Sequence, residues 1–361
     1  MLRREPWRLL FPLGTALAWL GVLPWLLFAL NLQQAVQPIY RVLGYRAFFH
    51  PLAELEGFLA CFGTGLLFTL LPRCTDTPPP ARWQVLVAVA APIASVALTA
   101  LDQWEAAQAA TALLLLVGLQ FTLRRVRRSN NALWIPFALL LGAAGAGLAV
   151  AAPRESIWLR ELGRDLVMQG MFSALAVGAA RMLRGDDSRL RTHLLAAATF
   201  AGSFWVGARY GQHLGFALRA AATLALARPL SPEWDFGPAN LRRAFAHLAL
   251  WLLVSGNAWV AVALNVRRAG LHVIFVGCFA ALLMAALTQA RASARLIAVA
   301  SALLALSMMA RAMVELDPPA FHLWMGISAA SFLTASVLCA LLSLRIEPQG
   351  PRPAGARAQS A

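Results

Sequence analysis

The chain is a near-continuous series of apolar runs separated by short gaps. Twelve runs are long enough to cross a bilayer, near residues 9–31, 50–72, 83–101, 105–123, 132–152, 163–183, 190–207, 211–228, 242–264, 268–289, 293–314 and 320–344. A helix rises about 1.5 Å per residue and a hydrocarbon core is about 30 Å thick, so about 20 apolar residues span it. Sixty per cent of the residues are hydrophobic and 13% are charged, against roughly a quarter charged in a soluble globule. One core cannot hide that much apolar surface from water, so lipid must be the solvent. The expected fold is all-α, a polytopic transmembrane helix bundle of about 12 spans. Residues 1–346 then form a single helical domain. Residues 347–361, rich in Pro, Gly, Ala and Arg, read as a disordered cytoplasmic tail.

The net charge is +15 and every one of the 31 basic residues is arginine. A basic chain can meet nucleic acid, but here the arginines sit in the gaps between apolar runs, where they set membrane topology. No nucleic-acid partner and no soluble partner is expected; the bilayer is the partner. Arg124-Arg125-Val126-Arg127-Arg128 and the group Arg181, Arg184, Arg189 and Arg191 mark two cytoplasmic loops, which puts both termini in the cytoplasm. Arg267-Arg268 run against that rule. Arg3, Arg4 and Arg8 ahead of the first run imitate a signal peptide. That run continues to about Leu32 with no small-x-small cleavage site, so it reads as a retained span. Cys61, Cys74, Cys278 and Cys339 form no CxxC pair. No P-loop, dinucleotide-binding glycine turn, HExxH or nucleophile elbow is present, which sets aside ATP-driven transport and hydrolysis.

Chemistry concentrates in the histidines. His50 opens the second run and shares a helix face with Glu54, with Glu56 beyond it. Polar groups at membrane depth usually face a protein interior. Of the six histidines, His193 and His247 fall near cytoplasmic span ends. His50, His213, His272 and His322 each fall within about two turns of a periplasmic span start, at one common level. Neutral imidazole is a common haem and copper ligand. Met168, Met171, Met308, Met309, Met313 and Met325 fall in the same half; thioethers suit cuprous copper, although methionine in an apolar helix is usually packing. Arg164-Asp165 open the sixth run. Arg219 lies inside the eighth and needs a carboxylate such as Glu54 or Asp165. A faint repeat joins Gly57-Phe58, Gly170-Met171-Phe172 and Gly277-Cys278-Phe279, each followed by an arginine (Arg73, Arg184, Arg291), with a period of four helices.

Two of these stretches resemble a known family. His50, seven residues before Gly57-Phe58, then a small-residue apolar stretch closing on Leu71-Pro72-Arg73, resembles the NnrS family. Many members continue as His-Ala-His-Glu, where this chain has His50, Leu52 and Glu54 in a different pattern. Gly270-Leu271-His272, five residues before Gly277 and followed by Met284 and Thr288-Gln289-Ala290-Arg291, resembles a second NnrS segment. There the family commonly continues Gly-His-Thr-Gly-Arg, against Ala292-Ser293-Ala294-Arg295 here. The resemblance implies a multi-pass protein of the bacterial inner membrane that binds haem and copper in the response to nitric oxide and nitrosative stress. His50 and His272 would be metal ligands, His213 and His322 further cofactor-binding residues, and nitric oxide a ligand. Two rivals stand beside it: a secondary transporter working through Glu54, Glu56, Asp165 and Arg219, and a membrane scaffold without metals.

Overall fold

A computed structural model describes residues 3–32, 49–126, 133–152, 156–184, 190–227, 238–289 and 293–345. The tail 347–361 and Arg127, Arg128, Arg189 and Arg291 lie outside these. Every regular element among the described residues is a helix. Twelve follow one another: α1 Trp7–Ala29, α2 Phe49–Thr75, α3 Arg82–Ala100, α4 Trp104–Val126, α5 Trp134–Ala151, α6 Ile157–Arg184, α7 Leu190–Tyr210, α8 Gln212–Leu224, α9 Pro238–Val262, α10 Leu264–Thr288, α11 Ala294–Leu316 and α12 Pro318–Leu344. Each apolar run has become one helix.

Ten of the twelve are long and apolar enough to cross a membrane. The exceptions are α7, which carries Arg191, His193 and Arg209, and α8, which has 13 residues and so measures about 20 Å. The two form a tight hairpin. Gly211 turns the chain at φ +123°, a conformation that favours glycine. A Cβ on Gly215 would stand 2.7 Å from the Gly207 Cα, so the two backbones are nearly in contact. Arg8 donates to the Leu344 carbonyl, so the first helix begins where the last one ends.

The repeat of four helices is present in three dimensions. The second helix of each set carries a π-helical segment over its glycine: Ala53–Leu59 in α2, Leu166–Met171 in α6 and Val273–Cys278 in α10. The third helix of each set packs on that glycine. A Cβ on Gly57 would meet Val96 of α3 at 2.9 Å, and one on Gly170 would meet Phe204 of α7 at 3.4 Å. On Gly277 it would meet the Met308 sulfur of α11. The first helix of each set crosses the second seven residues upstream of the glycine. There Gly21 accepts from His50, Gly145 lies on Gly163, and Gly256 lies on Gly270.

The fourth helix reaches back to the residue just before the glycine. In the first set this is Glu56, only 2% exposed, whose carboxylate accepts from Gln108 at 2.7 Å and Thr111 at 2.7 Å on α4, and from Ser95 at 2.6 Å on α3. In the second set it is Gln169, whose Oε1 accepts from Arg219 of α8 at 2.6 Å. In the third set the corresponding residue is the apolar Val276. The π turns widen the helices at corresponding places, and such turns often accompany functional sites.

These crossings make a sharp contrast between neighbouring glycines. A Cβ on Gly145 would lie 2.6 Å from the Gly163 carbonyl oxygen, whereas one on Gly147 meets nothing within 4 Å. Gly145→Ala should lower the stability of the detergent-solubilised protein by about 1–3 kcal/mol through overpacking. Gly147→Ala should be neutral or stabilising by up to about 1 kcal/mol through helix propensity. Thermal unfolding followed by circular dichroism separates the two.

Candidate cofactor site

His50 occupies the first turn of α2, ahead of Pro51, a residue suited to a helix start. Its Nδ1 lies 3.1 Å from the Gly21 carbonyl oxygen, and Trp25 meets the ring edge-on at 6.0 Å. His272 ends the first stretch of α10, just before the π turn, and its Nδ1 lies 2.6 Å from the Arg268 carbonyl oxygen. A carbonyl can only accept, so each Nδ1 must carry the proton. Each Nε2 is then left with an open lone pair, and neither makes a hydrogen bond among the described residues. A metal-binding imidazole is commonly held in this way, with its other nitrogen pinned to a backbone carbonyl.

The two rings come from the first and third helix sets. Arg311 of α11 stands across from the start of α10, between the contacts of Glu315 with Ala269 and of Met308 with Gly277. The other two candidates stand at the same end of the bundle but apart from this pair. His213 is exposed at the start of α8, with Nδ1 2.7 Å from the carbonyl oxygen of Ala261 near the end of α9. His322 is exposed at the start of α12 and lies over Phe28, ring centres 5.2 Å apart. Phe28 meets Trp25, and Trp25 meets His50, so aromatic rings link His322 to the pair. His193 and His247 are buried elsewhere and engaged by indoles: Trp134 donates to His193 Nδ1 at 3.1 Å and Trp251 to His247 Nε2 at 2.9 Å.

No group of three or more His, Cys, Asp or Glu side chains suited to a metal ion occurs among the described residues. The donor set at this place is therefore two open imidazole nitrogens. Neutral imidazole nitrogens are donors of a kind that haem iron and copper accept. The methionines do other work. The Met171 and Met308 sulfurs seat against Gly142 and Gly277, Met284 and Met325 are core residues, and Met309 is 59% exposed.

The ionisable groups put forward for transport are mostly tied down. Glu56 is saturated by its three donors. Arg219, 2% exposed, is stacked on Phe216 at 3.7 Å and Phe204 at 4.3 Å. Gln169 bridges it to Asp165, accepting from Arg219 and donating to Asp165 at 3.1 Å. Of the two carboxylates suggested for Arg219, Asp165 is the one that acts on it. Glu54 alone keeps a buried oxygen, Oε1, without a partner, against Gly21.

Below the histidine pair, α2, α6 and α10 share an apolar cavity of about 130 Å³. Phe58, Phe172, Phe275 and Phe279 line it near the π turns. Sequence reading missed Arg311 and Gln169. Arg311 was visible as an arginine inside an apolar run, the same signal that drew attention to Arg219. Gln169 could have been found by aligning the three repeat glycines, which sets it opposite Glu56.

A family model described as NnrS protein matches residues 1–346. Among curated proteins none matches the chain. The Glu56 knot gives a direct test of how α3 and α4 are held. Glu56→Leu strands three donors and should cost about 2 kcal/mol, the scale of buried interhelical hydrogen bonds in membranes. Urea or heat unfolding in detergent should show the loss, and Thr111→Val should show a smaller one.

Proposed function

The chain belongs to the NnrS family, and we propose on that premise that it is a bacterial inner-membrane haem protein of the response to nitric oxide, with copper as a second metal. The observation that carries the reading is that His50 and His272, at the starts of α2 and α10, each have Nδ1 held on a carbonyl and Nε2 open. Nitric oxide is uncharged and small, so it reaches a site at membrane depth through lipid and apolar protein without a polar channel. The phenylalanine-lined cavity between α2, α6 and α10 offers such a passage.

A bound haem would supply an iron able to ligate nitric oxide and to change oxidation state. The protein's own part is to orient the imidazoles. The Gly21 and Arg268 carbonyls fix the tautomer and ring plane, and Trp25 packs on the His50 ring. The half-buried setting limits the water around both rings. The transporter reading finds little support in a bundle whose buried carboxylates are mostly saturated. A scaffold without metals remains the rival that experiment has to separate.

An absorption spectrum of the purified protein, as isolated, reduced, and after exposure to nitric oxide, makes the separation. The proposal expects a Soret band that shifts with nitric oxide. His50→Ala or His272→Ala should remove at least half of it, while His213→Ala and His322→Ala leave most of it. Wild-type protein with neither a Soret band nor bound copper would establish the scaffold instead.

A further inference from the structure

Arg311 lies in the last third of α11, facing the start of α10. Its position follows from the contacts on either side. One turn later, Glu315 Oε2 accepts from the Ala269 backbone N–H at 3.0 Å. One turn earlier, the Met308 sulfur lies against Gly277. The helices run antiparallel between those contacts, which sets Arg311 across from the His272 region.

Among the described residues its guanidinium makes no hydrogen bond, and its Nη1 is sealed from solvent without a partner. An arginine has five N–H donors, and burying one of them unpaired is costly. The neighbouring charges do not supply the missing acceptor. Glu315 acts on Arg311 electrostatically, but its carboxylate already accepts from Ala269 and faces Arg268 at 3.9 Å. Arg268 adds a second cation. The two imidazoles offer only Nε2 lone pairs once Nδ1 carries the proton, and neither is hydrogen-bonded to Arg311 among the described residues. Arg311 thus keeps an unused buried N–H beside a carboxylate that is already engaged, while the Arg268 side chain is 74% exposed.

We infer that Arg311, placed across from the His272 end of α10, binds a small planar oxyanion of carboxylate type, whose oxygens accept its N–H groups. The guanidinium fork matches a two-oxygen anion in shape as well as charge. Two sources have that chemistry: a free anion such as nitrite, or the carboxylate side chain of a bound porphyrin. The second rests on the cofactor reading above, and the first does not.

The test uses the full-length protein in detergent. Sodium nitrite is titrated by calorimetry into wild type, Arg311→Gln, Arg311→Lys and Arg268→Gln. In parallel, each protein is loaded with haem or with haem whose propionates are methyl esters, and retention on a sizing column is read from the absorbance. If the anion is free, nitrite binds wild type and Arg268→Gln, and Arg311→Gln weakens it at least tenfold. If the carboxylate is the porphyrin's, nitrite does not bind, and Arg311→Gln and esterified haem each reduce retention at least tenfold. Arg311→Lys keeps the charge without the fork and should fall between. It carries the comparison if the glutamine variant does not fold. Equal nitrite affinity and equal haem retention in wild type and the variants would overturn the inference, as would a wild type that takes neither ligand. A wild type that binds nitrite through Arg311 but no haem would sink only the cofactor reading.

Discussion

Helices surrounded by lipid gain nothing by hiding apolar faces from one another, because hydrocarbon is as good a neighbour as another leucine. They hold together where backbones come unusually close and where polar groups find partners only across the interface. Both devices recur here at matching places. Gly145 on Gly163 and Gly256 on Gly270 bring the first helix of a set onto the second at backbone contact, and Gly21 takes the same role beneath His50. The fourth helix then fastens the arrangement through Glu56 or Gln169. Once these crossings are set, α2, α6 and α10 are forced together around the cavity they share.

The histidine pair is a by-product of unequal use of that scheme. Counted back from the repeat glycines, His50 stands seven residues away, where the other two sets place Gly163 and Gly270. His272 stands five away, where the others place Leu52 and Asp165. The pair is therefore not symmetric: the imidazoles enter from different registers of related helices. The middle set has a carboxylate at the second of these positions, and it is committed to Gln169 instead.

Most of the architecture was legible in the sequence because lipid enforces it. A long apolar run has no stable choice but helix, since every backbone polar group must be satisfied within the segment. Each of the twelve runs accordingly became a helix. Whether all twelve cross is a finer matter, and α7 and α8 show why: Arg191, His193, Arg209 and Arg219 lower the hydropathy of that hairpin without preventing it from packing. The repeat was visible as three glycines but not as π turns, because an i→i+5 bond leaves no residue signature beyond the glycine it tends to accompany. At the candidate site, the sequence pointed to four histidines at one level. It could not say that two would carry open nitrogens while His213 and His322 faced outward. That depends on the crossing angles of α2 and α10, which are set by Gly21 and by Glu315 capping Ala269, residues far away in the chain.

The short eighth helix has a consequence for the membrane itself. Were it to sit at membrane depth, its outer face, with Leu214 54% exposed and Leu224 48% exposed, would meet acyl chains over a length well below that of its neighbours. Lipid at that flank would then have to thin, drawing headgroups and water inward toward the hairpin. The bilayer around this protein should therefore be dimpled on one side only, giving it a preferred orientation toward any other body that deforms the membrane in the same sense.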